Sequence, residues 1–153
     1  MGAVALSGND TININNQVLN NLADGNCVEI TFPNEIANVK IGKNGNAIYG
    51  LNTTGQQSEA KIKVLRGSAD DKFLNNLWTQ QQNNFSGTIL MIGQFIKKIG
   101  DGQGNITSDT YIMSGGVFTK GIDAKTNVEG DTDQSTSMYT IKFANSPAIR
   151  VLT

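Results

Sequence analysis

The stretch EAKIKVLRGSADDKFLNNLWTQQQNN, residues 59–84, changes its hydrophobic period halfway along, and that change decides the fold. Before Arg66, the apolar Ala60, Ile62 and Val64 alternate with Glu59, Lys61 and Lys63, the period of a half-buried strand. After Gly67 the period lengthens. Phe73, Leu74, Leu77 and Trp78 fall at i, i+1, i+4 and i+5, which is one face of a helix. Ser68 is a favourable N-cap, and Asp71 three residues on makes a carboxylate variant of the capping box. Asp70 and Asp71 also complement the positive end of the helix dipole. Polar residues 80–84 close the segment. The spacing predicts one helix over about residues 69–83, laid by its apolar stripe onto sheets.

Outward from that stretch the pattern is that of strands. NDTINI places Ile12 and Ile14 on one face and Asn13 and Asn15 on the other. CVEITF turns Val28, Ile30 and Phe32 inward and Glu29 and Thr31 outward, and NVKIGK continues the alternation with Val39 and Ile41. Beyond the helix, TILMIGQFI is apolar on both faces from Ile89 to Ile92, which predicts a central strand covered on both sides. GDGQGN reads as a hairpin turn and KTNVEGDTDQST as a longer polar loop, after which Tyr139, Ile141 and Phe143 resume alternation. The expectation is a mainly β chain of roughly seven to nine strands. It forms two packed antiparallel sheets, a β-sandwich or β-barrel, with one flanking α-helix. No linker or repeat divides it, so residues 1–153 are read as a single domain.

Composition narrows the chemistry. The 153 residues contain no histidine, which removes the usual acid–base group near neutral pH, the Ser-His and Cys-His nucleophiles, and imidazole metal ligands. The single cysteine, Cys27, excludes an internal disulfide and is expected to be a small buried hydrophobe. The opening GAVALSG has no basic flank, and the longest apolar run is far short of a membrane span, so no leader or membrane anchor is expected. A formal charge of −1 without a basic block argues against sequence-reading nucleic-acid binding. The 28 Asn and Gln outnumber the 25 charged residues. Such a surface guards its sheet edges weakly with charge, which fits a protein that associates with copies of itself.

Candidate sites are thin. Asp101 sits among the glycines of a turn that lacks the carboxylates of a calcium loop. Glu129, Asp131 and Asp133 alternate in what reads as an acidic solvated loop. Neither GKNGN nor GSADDK has phosphate-loop spacing, and Asp70 and Asp71 are adjacent on a helix, so they point apart. Trp78 and Phe73 share the helix stripe with Leu74 and Leu77 and read as core. The chain is therefore read as a non-enzyme with no cofactor or metal.

One stretch stands apart. GKNGNAIYGLNTTGQQSE, residues 42–59, is loop chemistry holding Ile48, Tyr49 and Leu51. Asn44-Gly45 has the form of a tight turn, but the next strand pattern resumes only at about Glu59. An unstructured connection of about 15 residues inside a compact domain marks function or disorder, and an Ile-Tyr-x-Leu cluster disfavours disorder. The helix already supplies the stripe that covers the sheets. Ile48, Tyr49 and Leu51, with the adjacent Asn52, are thus expected to bury against another subunit, making this loop an assembly device.

Together, GKNGNAIYGLNTTGQQSEAKIKVLRGSADDKFLNNL (residues 42–77) and the β-rich sequence after it resemble the tail tube proteins of contractile-tailed bacteriophages, most specifically in VLRGSADDKFLN (residues 64–75). The resemblance implies two antiparallel sheets packed across each other with a helix at the side. Six subunits would form a ring whose inner strands join into a continuous barrel, and rings would stack into a tube. A long hairpin loop, matching residues 42–58, would reach neighbouring subunits and the adjacent ring. The lumen would convey DNA into the host without binding it, a sheath would surround the tube, and baseplate and tail terminator proteins would close its ends. The place of action would be the virion tail, assembled in the host cytoplasm. Asn13, Asn15, Glu29 and Thr31, on the polar sides of the early strands, are the candidates for facing the lumen. A tube of the type VI secretion kind or of a phage-tail-like particle shares the architecture. A ligand-binding β-sandwich module is the reading from a different class, and the scarcity of aromatic residues argues against it.

Overall fold

The computed structural model describes residues 3–6, 10–23, 26–126, 128–130, 132–145 and 150–153. In chain order the first strands are β1 (Ala5–Leu6), β2 (Thr11–Ile14), β3 (Gln17–Val18), β4 (Val28–Thr31), β5 (Ala37–Ile41), β6 (Ala47–Leu51) and β7 (Ser58–Leu65). Helix α1 (Ala69–Asn83) follows, then β8 (Met91–Gly100), β9 (Ile106–Phe118), β10 (Asp123–Ala124), β11 (Thr136–Asn145) and β12 (Val151–Leu152).

One antiparallel sheet runs in the order β3-β2-β8-β9-β11-β7-β4, with the short β1, β10 and β12 attached to β8, β11 and β9. A separate two-stranded sheet consists of β5 and β6. Side chains from opposite ends of the large sheet share one core. Ile12 and Ile14 of β2 and Phe95 of β8 pack in the same cluster as Ile62 and Val64 of β7 and Ile141 and Phe143 of β11. A sheet brings its two ends into one core only by folding over on itself. The chain is thus mainly β and sandwich-like, with one α-helix among the described residues, and the two layers belong to one continuous sheet.

The fold-over is prepared at β8 and β9. Their register shifts between Met91 and Gly93, and Gly115 takes a φ of 68°, a left-handed conformation that glycine adopts without strain. The ring of Phe143 presses into the space left by two missing side chains. A Cβ on Gly116 would lie 2.6 Å from that ring, and one on Gly93 would lie 2.9 Å from it.

Helix α1 begins as its sequence dictates: the Ser68 hydroxyl accepts from the Asp71 backbone N–H at 3.2 Å. Its two aspartates also tether distant chain. Asp70 is buried and accepts from the Asn21 backbone N–H, and the Asp71 carboxylate accepts from the hydroxyls of Tyr139 and Ser137 on β11. Burial, then the bond to Asp71, pushes the Tyr139 phenol well above its ordinary pKa, so it stays a donor. Leu74 is fully buried, while Phe73, Leu77 and Trp78 are half-buried against the core.

The helix makes one further contact that sits among five consecutive amides. Gln81 donates from Nε2 to the Phe118 carbonyl at 2.8 Å, and the Phe118 N–H donates to its Oε1 at 2.9 Å. A side-chain amide thus replaces a neighbouring strand at the end of β9. Replacing Gln81 with leucine leaves both backbone groups buried and unpaired, at about 1–3 kcal/mol each. Urea unfolding of Gln81→Leu should show that loss as a lower midpoint at unchanged slope.

The carboxy-terminal strand β12 is pinned by charge. Arg150 bonds Asp109 through Nε at 2.8 Å and Nη2 at 2.9 Å, and its guanidinium carbon lies 5.9 Å from the Tyr111 ring centre. The Arg150 hydrogen bond holds the Asp109 carboxyl below its usual pKa, against the opposing effect of burial. A depressed folded-state pKa stabilises above the unfolded value, about 3.9, and that stabilisation is lost as pH falls through the folded value. The wild-type unfolding midpoint should therefore fall more steeply below pH 4 than that of Arg150→Ala, and the two curves should converge at the acid end.

Three expectations are corrected. Ile89, Leu90 and Ile92 are exposed: β8 starts only at Met91, and its residues Met91 and Phe95 face the core while Ile92 lies on the other face. Val39 and Ile41 leave the main sheet altogether and are exposed on β5. Cys27 is half-buried, not buried.

Candidate functional site

Residues 37–51 form a β-hairpin: the first part of the connection expected over residues 42–58 is a strand, β6, paired with β5. The turn is local chemistry. The Gly45 N–H donates to the Gly42 carbonyl at 3.0 Å, the Gly42 N–H donates to the Asn46 carbonyl at 2.7 Å, and Gly45 adopts a φ of 81°. The strands pair in the register Ala37 with Leu51, Val39 with Tyr49 and Ile41 with Ala47. Residues directly opposite share a face, so these six make a face whose one polar atom is the Tyr49 hydroxyl. Lys40 and Ile48 are paired on the other face.

Neither face is covered by the described residues, and every residue of both strands is exposed. Tyr49 is 75% exposed and Leu51 83%, values more typical of lysine than of large apolar side chains. An isolated two-stranded ribbon is marginally stable in water and needs a packed face. The base of this one is anchored. The Asn52 N–H donates to the Ile36 carbonyl at 3.0 Å, Asn34 bonds Gln57 at 3.0 Å, and Gly55 lies so close to Ile36 that a Cβ would approach its Cα to 2.7 Å. Asn52 therefore closes the ribbon, whereas Ile48, Tyr49 and Leu51 project from it. Val39 and Ile41 are the members of this surface that the sequence hid, because strand alternation alone assigns them to the core.

The four candidates for a lumen face fall at the two ends of the strand order. Asn13 and Asn15 belong to the β2 end of the strand order, while Glu29 and Thr31 lie exposed on β4 at the other end. Asn15 is occupied by local structure. With Asn16 it forms the β2–β3 turn at φ values of 51° and 65°, and its Oδ1 accepts from the Ile92 N–H at 3.0 Å. Asn13 faces outward between Val18 and Gln94, and its shielded Oδ1 has no partner among the described residues. Glu29 stands opposite Lys61, and Thr31 opposite Glu59. The outer face of that layer thus mixes both signs of charge.

The other sequence candidates resolve into structure. The Asp101 carboxylate accepts from Asn105 Nδ2 at 2.8 Å and from the N–H groups of Gln103 and Asn105 at 2.8 and 3.1 Å. Those bonds, led by the Asn105 side chain, hold its pKa down and shape the β8–β9 turn. Asp131 and the side chain of Asp133 lie outside the described residues. Among the described residues no group of three or more Cys, Asp or Glu is placed to hold a metal ion, and no helix is long and apolar enough to cross a membrane. No protein-family model matches the chain, and no curated protein matches it. Among the described residues the hairpin carries a run of exposed large apolar side chains, Val39, Ile41, Ile48, Tyr49 and Leu51.

Proposed function

We propose that this chain is a structural subunit of a hollow tube, the tail tube of a contractile-tailed bacteriophage. The observation that carries the proposal is the β5–β6 ribbon, anchored at its base and apolar on a face that its own chain leaves open. A sandwich-like β fold with one helix supports it, and so does the resemblance of residues 42–77 to the tail tube family. On this reading, six copies close into a ring, rings stack, and the hairpin supplies contacts between copies. The ring also closes the sheet edges at β3 and β4. Sheath protein lies outside, baseplate and terminator proteins cap the ends, and DNA passes through the lumen during genome ejection. The chain acts in the virion and does no catalysis.

Negative-stain microscopy of the purified protein tests this. Rings or tubes with an open bore are the expected result. A monodisperse monomer at every concentration, above all one that binds glycans, overturns it.

A further inference from the structure

The chain carries a second uncovered apolar surface, far from the hairpin in sequence. A cleft of about 410 Å³ opens between the end of α1 and the start of β8. Leu77, Met91 and Phe118 lie at its inner side, and Ile89 and the amides Gln80 and Asn84 lie at its mouth. Phe85, Leu90 and Ile92 extend the apolar surface next to it in the chain, and all three are exposed along with Ile89. Among the described residues no charged side chain lines the cleft.

We propose that this cleft receives the β5–β6 hairpin of a second copy of the chain. The inference rests on the reading of the hairpin as an assembly element and names the surface it meets. The apolar face of the hairpin is uncharged, as the cleft is, so their contact strands no ion away from water. Tyr49 suits the site, since its ring matches an apolar floor and its hydroxyl can reach an amide rim. Area is adequate as well. At roughly 100 Å² per large apolar side chain, the hairpin offers about 350–400 Å². One side of a standard interface buries about 800 Å², a little over half of it apolar. Donor and acceptor are different patches of one molecule, so the contact is head-to-tail. Repetition then closes a ring or extends a filament and does not stop at a two-fold dimer.

Two variants separate the patches. Tyr49→Ser with Leu51→Ser removes the donor, and Ile89→Asp with Leu90→Ser removes the acceptor; all four positions are exposed, so circular dichroism should match wild type. At a concentration where wild type assembles fully, light scattering should report a monomer for each variant alone. Mixed in equal amounts they should form a dimer of twice the monomer mass and nothing larger, because one intact donor meets one intact acceptor. If the acceptor variant assembles like wild type, or the mixture stays monomeric, the cleft is not the receptor, although the hairpin remains an assembly element. If the donor variant assembles like wild type, the hairpin reading fails too.

Discussion

A chain carrying Ile48→Ser, Tyr49→Ser and Leu51→Ser should remain folded and lose assembly altogether. All three side chains are exposed on a ribbon outside the main sheet, so the shared core is untouched. Surface substitutions of this kind change stability by about 0.5 kcal/mol or less. The unfolding midpoint and the β-type circular dichroism should therefore match wild type. The intermolecular effect is opposite in scale. Removing Tyr49 and Leu51 from the apolar face, and Ile48 from the face behind it, forfeits about 1.5–3 kcal/mol per side chain in a contact repeated in every subunit. Particles seen for wild type should be absent for the variant. If the variant unfolds instead, the three side chains belong to the subunit's own core and the hairpin has been misread.

The second large effect lies at the fold-over. Phe143→Ala should cost about 3–5 kcal/mol, a large share of the 5–15 kcal/mol that holds an ordinary domain together. Phe143 is fully buried and presses on both Gly93 and Gly116, so its loss opens a cavity where β8 and β9 bend. Gly116→Ala should cost about 1–3 kcal/mol for the converse reason, overpacking against the ring. Because both changes act on one space, Phe143→Leu combined with Gly116→Ala should lose less than the sum of the two single losses. Additive losses, measured by denaturant unfolding, would show that the ring and the glycine do not share that space.

The helix and most of the core were legible in residue pattern alone, because capping chemistry and the 2-to-3.6 change of period are local signals. Ser68, Asp71 and Leu74 needed nothing beyond the segment 68–78. The hairpin was not legible as a strand. Ile48 and Tyr49 are consecutive and lie on opposite faces, and Gly50 interrupts the alternation, so no clean period appeared although Asn44-Gly45 signalled the turn. What was legible there was the excess of apolar side chains over local need. The same logic failed at Ile89–Ile92, where apolar residues on both faces suggested cover from both sides. A sequence records that a side chain is apolar, and not whether its own chain or another molecule covers it. Gln81 was hidden among like amides, yet it lies seven residues after Leu74 and four after Leu77, on the inward face of the helix. Of the lumen candidates, Asn13, Glu29 and Thr31 lie on the strand faces opposite the core, whereas Asn15 belongs to the turn after β2, where the alternation has already ended.

Hydrogen exchange of the hairpin amides tests the central claim most directly. In dilute monomer the amides of residues 38–51 sit on an uncovered ribbon and should exchange fast, while those of β7, β9 and β11 are protected. On assembly the hairpin amides should slow by at least about tenfold, as cover from a second copy suppresses local opening. Particles whose hairpin amides exchange as fast as those of the monomer would contradict the account.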